Sequence, residues 1–171
     1  MTHKFLHLFL ASNGLIILDQ FTKMWIQIHV PENHSLVVIR NFFSITHIRN
    51  PGVAFGWFAS HTSQFKVPVF IIFSIIAIIA ILIFFYQTPS HHQVSLIGLI
   101  LLFSGAIGNL IDRIMYHEVV DFLDFYHNGV HWPAFNIADS CITIGVGFLF
   151  LDLFRKDLGS QSAGPRPVSK Q

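Results

Sequence analysis

Charge is what this chain has least of. Only 11% of its 171 residues are Asp, Glu, Lys or Arg, against about 25% in soluble domains. Hydrophobic residues make up 53% and mean hydropathy is +0.59. This excludes an ordinary soluble domain and makes the chain an integral membrane protein. Cysteine is nearly absent. Cys141 alone excludes an internal disulfide and a Cys-based zinc cluster, and inside an apolar run it reads as a small packing residue. The net charge of +1 comes without a basic stripe, so no nucleic-acid partner is expected. The eleven histidines contain no HExxH, and His91-His92 has no carboxylate nearby. P-loop, GxGxxG and GxSxG motifs are also missing, so neither a metal nor a cofactor is expected.

What is present is a set of apolar spans at membrane length. Four are expected, at about 5–28, 67–86, 94–115 and 133–154. Val67 to Tyr86 runs without a charge, and twenty residues at 1.5 Å rise cross about 30 Å of hydrocarbon. The first span follows Lys4 as a signal peptide would, but no small-x-small cleavage site follows and the run continues through Met24-Trp25-Ile26, so it is read as retained. Pro133 suits the first turn of the fourth span, where its missing N–H is not needed. Between the first two spans, residues 29–66 contain Ser35 to Arg49, rich in β-branched and aromatic residues, and Asn50-Pro51-Gly52 then breaks the pattern. That segment reads as β-structure at the membrane surface. The fold class is therefore all-α membrane protein, four helices with a small β-structured region between helices 1 and 2. Residues 1–157 form one domain, and 158–171 a tail that is disordered by composition.

An even number of spans puts both termini on one side. Lys4, Arg155, Lys156, Arg166 and Lys170 lie in the tails, whereas Arg40, Arg49 and Lys66 lie in the long first loop. The balance modestly favours cytoplasmic termini, with the first and third loops on the outer face.

Against this apolar background the carboxylates stand out. Asp121 lies just beyond the third span in Val119-Val120-Asp121-Phe122, and Asp139 just inside the fourth in Asn136-Ile137-Ala138-Asp139. A carboxylate at a helix centre in hydrocarbon costs roughly 2.5–3.5 kcal/mol on insertion scales, so it is tolerated where it has a polar cavity and a task. Two meeting across helix ends would share one proton and act as an acid/base pair. Asn136 and Asp139, spaced i, i+3, would share a helix face. Asp124, three residues after Asp121, is a rival partner, though the sequence favours a surface place for it. Asp19 and Lys23 have ion-pair spacing at i, i+4, and Asn109 and Arg113 share a face with Asp112 beside them. Arg113 could meet a lipid phosphate or a carbonyl at the membrane surface, or only snorkel there.

These blocks, Asp19-Gln20-Phe21-Thr22-Lys23, Asn50-Pro51-Gly52-Val53-Ala54-Phe55-Gly56, Gly108-Asn109-Leu110-Ile111-Asp112-Arg113, Val119-Val120-Asp121-Phe122 and Phe135-Asn136-Ile137-Ala138-Asp139-Ser140, resemble in sequence and order those of the lipoprotein signal peptidase family, also called type II signal peptidase. The resemblance implies an aspartic endopeptidase of the bacterial cytoplasmic membrane that removes signal peptides from diacylglyceryl-modified prolipoproteins, cutting just before the lipidated cysteine. It implies Asp121 and Asp139 as the catalytic pair. Asn50, Asn109, Arg113 and Asn136 would hold substrate or orient the pair, with Asp19 and Lys23 in support. The first loop would form a β-structured cradle with a mobile part over the substrate. Partners would be prolipoproteins and membrane lipids. No strict GxxxG marks an association face, so a monomer is the default expectation. The competing class is a small proton-coupled transporter using Asp139, since intramembrane carboxylates mark proton paths. A structural subunit is a blander third, and would be indifferent to Asp139→Asn.

Overall fold

The computed structural model describes residues 2–52 and 66–162. Four helices carry it: α1 (Thr2–His29), α2 (Lys66–Gln87), α3 (Gln93–Tyr116) and α4 (Ile137–Ser162). Each contains a stretch long and apolar enough to cross a membrane, from His3–His29 to Ile137–Arg155. The strands are β1 (Ser35–Ile39), β2 (Phe43–Asn50), β3 (Val119–His127) and β4 (Val130–His131), in the antiparallel order β1-β2-β3-β4.

The sheet between helices 1 and 2 is thus present, and it is completed by strands from between helices 3 and 4. Asp121 lies within β3 rather than in a loop after a span. A two-residue turn at Asn128-Gly129, both with positive φ (49° and 78°), joins β3 to β4. That pair between apolar runs is a hairpin signal, because Asn and Gly adopt the left-handed region most readily.

Two boundaries differ from expectation. The fourth helix starts at Ile137, not Pro133, because the Phe135 backbone is engaged by β3: its carbonyl accepts from the Phe122 and Leu123 N–H groups, and its N–H donates to Leu123. Asn136 then caps the helix. At the other end α4 continues to Ser162, past the expected tail boundary at 157. Residues 163–171, the rest of that tail, and Val53 to Gly56 of the Asn50 block lie outside the described residues, as does the remainder of the loop segment 53–65.

Helices α3 and α4 pack at backbone distance. A Cβ on Gly105 would lie 2.3 Å from the Ala138 carbonyl oxygen, and one on Gly98 would lie 2.9 Å from that of Gly145. Without these glycines α4 would stand off from α3 and its N-terminus could not reach the polar residues of α1. Apolar clusters flank that polar region on both sides. Ile26, Val30, Val120 and Phe122 tie the end of α1 to β3, while Phe85, Leu96, Leu99 and Ile100 close the far end of the bundle.

Candidate active site

The N-terminus of α4 organises the site. Asn136 Oδ1 accepts from the Asp139 N–H at 2.9 Å, and Asp139 Oδ2 accepts from the Asn136 N–H at 3.3 Å. This reciprocal cap satisfies two donors that a helix start leaves open. The i, i+3 spacing therefore means cap and first turn, rather than two positions on one helical face. Asp139 also sits where the positive end of the helix dipole favours an anion.

The Asn136 amide reaches further. Its Nδ2 donates to Asp121 Oδ1 at 2.8 Å, with the Val120 carbonyl and Asn109 Oδ1 both at 3.3 Å. Asn109 Nδ2 donates to Asp139 Oδ1 at 2.7 Å. The two aspartates are thus joined through Asn136, which bonds one and caps the other, and through Asn109. On the opposite side of Asp121, Asn50 Nδ2 donates to Oδ2 at 3.0 Å. The Asn50 amide is oriented by its own chain, since its Oδ1 accepts from the Gly52 N–H at 2.9 Å. Gly52 has φ 92°, and a Cβ there would strike the Phe70 ring at 2.5 Å, so the turn that aims Asn50 requires glycine. In the sheet register Ile48 faces Asp121 and Asn50 faces Val119, which makes Asn50 and Asp121 diagonal cross-strand neighbours.

Beneath the aspartates lies a buried cation. Lys23 Nζ is 2.8 Å from Asp19 and 2.9 Å from Asp112, and donates to Asn109 Oδ1 at 3.1 Å. The pair expected between Asp19 and Lys23 forms, and Asp112 joins it as a second acid that the spacing argument left unassigned. Its signal was present, three residues from Asn109 in an apolar helix. Asp112 also accepts from Gln20 at 2.8 Å and from the Val120 N–H at 3.3 Å. Asp19 accepts from the Ala138 N–H at 2.9 Å, so α1 directly supports the start of α4. Lys23, Asp19, Asp112 and Asn136 are each at most 1% exposed.

Arg113 stands at the border. It is half-buried, donates to the Asn109 carbonyl at 3.3 Å and lies 5.7 Å from the centre of the Phe70 ring. Asp124 departs from its expected surface place, being only 6% exposed. It points to the opposite face of β3 from Asp121, as an offset of three dictates in a strand of period two. There both its oxygens lie within 3.0 Å of His131 Nδ1. The rivalry resolves by position: Asn136 and Asn50 engage Asp121, and Asp124 belongs to the β3–β4 hairpin. Cys141 is buried, as a small packing residue would be.

Asp121 has the electrostatics of an acid poised near neutrality. Burial pushes its carboxyl up to about 7; the Asn50 hydrogen bond pulls it back, the Asp139 charge raises it again, and Asn136 and Lys23 lower it. A carboxyl there gives or takes a proton at little cost at neutral pH.

Residues 12–155 match the family model described as signal peptidase (SPase) II. The chain belongs to that family. A lipoprotein signal peptidase of Desulforapulum autotrophicum is 45% identical over 91% of this chain and 96% of its own length. One from Syntrophus aciditrophicus is 47% identical over 87% and 93%. A bacterial membrane enzyme solved by the in meso method at 2.3 Å resolution superposes with a TM-score of 0.78 at 34% identity, covering 96% of this chain and 94% of that one. Membership of the signal peptidase II family makes this chain a multi-pass bacterial membrane peptidase.

Proposed function

We propose that this protein is an aspartic endopeptidase that removes signal peptides from diacylglyceryl-modified prolipoproteins, cutting just before the lipidated cysteine. The observation that carries the reading is the junction of Asp121 and Asp139 through one asparagine at the start of α4. The family and its lipoprotein-processing relatives support the substrate class.

The chemistry follows from two carboxyls sharing one proton. The ionised partner removes a proton from water as its oxygen attacks the scissile carbonyl. The protonated partner donates a hydrogen bond to that carbonyl oxygen as negative charge develops. In the breakdown of the tetrahedral intermediate the C–N bond breaks, and a proton passes to the leaving amine of the lipidated cysteine. Water is consumed, and the signal peptide leaves with a new carboxylate. The proton belongs to the pair, so its starting place is not assigned to either residue. Asn50, Asn109 and Asn136 hold the carboxyls in place, Asp19 and Lys23 support them from below, and Arg113 at the border faces substrate. With cytoplasmic termini, the site lies near the outer face, at the depth of a cysteine anchored by its acyl chains. The protein acts as a monomer.

The test is a gel-shift cleavage assay in detergent with a diacylglyceryl-modified prolipoprotein. Wild type should cleave it, Asp139→Asn should not, and neither should cleave the unlipidated precursor. A folded wild type that leaves the lipidated substrate intact would sink the reading, and proton-coupled uptake in vesicles would become the question.

A further inference from the structure

A cavity of about 560 Å³ opens at the end of the bundle away from Asp121 and Asp139. The rim carries His3, Lys4 and His7, and the wall further into the span carries Ala11, Leu96 and Ile100. No Asp or Glu is among its described lining residues.

The charge on Lys4 is the deciding feature. Lys4 is only 9% exposed, and its Nζ donates to the carbonyls of Phe85 at 3.1 Å, Tyr86 at 2.9 Å and Thr88 at 2.9 Å. Those neutral partners satisfy its hydrogen bonds at the end of α2, and among the described residues its positive charge meets no carboxylate within ion-pair distance. His3 and His7, one helical turn apart on α1, add imidazoles that donate an N–H whether protonated or neutral. Asp152, a carboxylate of α4, accepts from Ser95 Oγ at 2.5 Å. Ser95 is not a lining position of α3, whereas Gln93, Leu96 and Ile100 are, so Asp152 bonds the other side of that helix.

A positive rim over an apolar wall, inside a membrane-spanning helix pair, fits one occupant. We propose that this cavity binds a single anionic glycerophospholipid, with its phosphate at His3, Lys4 and His7 and one acyl chain along Ala11, Leu96 and Ile100. The cationic start of a signal peptide would meet like charge here, which separates this site from the proposed substrate path. The inference is independent of the proposed peptidase mechanism.

Native mass spectrometry of the delipidated full chain tests it, by titration with phosphatidylglycerol and, separately, phosphatidylcholine. One phosphatidylglycerol adduct is expected at roughly ten-fold lower lipid concentration than the phosphatidylcholine adduct, because head-group charge is worth about 1 kcal/mol per basic group. His7→Glu should weaken it roughly five-fold or more, and Ala11→Trp, which fills the wall, should remove it. Thermal melting in detergent identifies folded variants, and either one alone decides. Equal binding of the two lipids would overturn the proposal, as would an adduct unchanged in a folded variant. Displacement of the lipid by millimolar inorganic phosphate would also overturn it, since the wall would then contribute nothing.

Discussion

Each end of the bundle holds a buried lysine, and they are handled in opposite ways. Lys23 is placed between two carboxylates, Asp19 and Asp112. Lys4 is placed among three backbone carbonyls. The first arrangement is an ion network whose hydrogen bonds continue through Asn109 to Asp139. The second ends at those carbonyls, and among the described residues it extends no polar chain toward the aspartates. Burial of a lysine by itself says little about function. What matters is whether its partners are charged, and where their remaining hydrogen bonds lead.

The largest expected effect lies at the first end. Asp121→Asn and Asp139→Asn should each reduce turnover by three orders of magnitude or more, on the order of 4 kcal/mol in barrier height, while leaving the protein folded. Appreciable cleavage by either folded variant would break the shared-proton mechanism. The lysines themselves come next. Lys23→Met leaves Asp19 and Asp112 buried without their cation, and removing one member of a buried pair costs about 3–5 kcal/mol. Lys4→Met uncovers carbonyls at a helix end near water and should cost about 1–2 kcal/mol. Denaturation of both variants in one detergent gives the ratio directly. Equal losses would mean that the two environments do not differ as their partners suggest.

The sequence exposed much of this contrast and hid part of it. The four spans were legible because lipid imposes long apolar helices, and Asp19, Lys23, Asn109, Asp121, Asn136 and Asp139 stood out because polar residues are rare in such spans. Strand β3 was harder to see. Val119 to His127 alternates poorly because most of it is buried on both faces, although Asn128-Gly129 marked its turn. The start of α4 was misplaced because Pro133 is a good first-turn residue, and nothing local shows that Phe135 is already paired to a strand. Asp112 looked like a neighbour of Arg113, and only tertiary packing places it 2.9 Å from Lys23. The roles of Gly98 and Gly105 also depend on where α4 arrives.

A smaller effect should appear with pH. The Asp121 carboxyl is raised in the folded protein from 3.8 to about 7, so between those values the folded state binds more protons than the unfolded chain. Wild-type stability should therefore fall as pH rises through that window and level off above it. Asp121→Asn lacks this dependence. Its melting temperature relative to wild type should climb from pH 4 to pH 7, with a ceiling of about 4 kcal/mol that sharing the proton with Asp139 reduces. A difference flat across the window would mean that Asp121 is ionised throughout. Wild-type cleavage should also decline above about pH 7, as the pair loses its proton.

Asp124 supplies the smallest effect and the sharpest control, because it is a buried carboxylate three residues from Asp121 with a different destination. Its partner His131 has a side chain 54% exposed, so water already screens the pair. Asp124→Asn keeps an oxygen that can accept from His131 and loses only the charge. The expected cost is under about 1 kcal/mol, the range for exposed pairs, with cleavage within roughly two-fold of wild type. Because Asp121 and Asp124 face opposite sides of one strand, the two Asn variants compare a carboxylate facing the α4 cap with one facing the hairpin on the same backbone. If Asp124→Asn were inactive and Asp121→Asn active, the catalytic carboxyl would be on the hairpin face of β3, and Asn136 would be capping a helix with no further role.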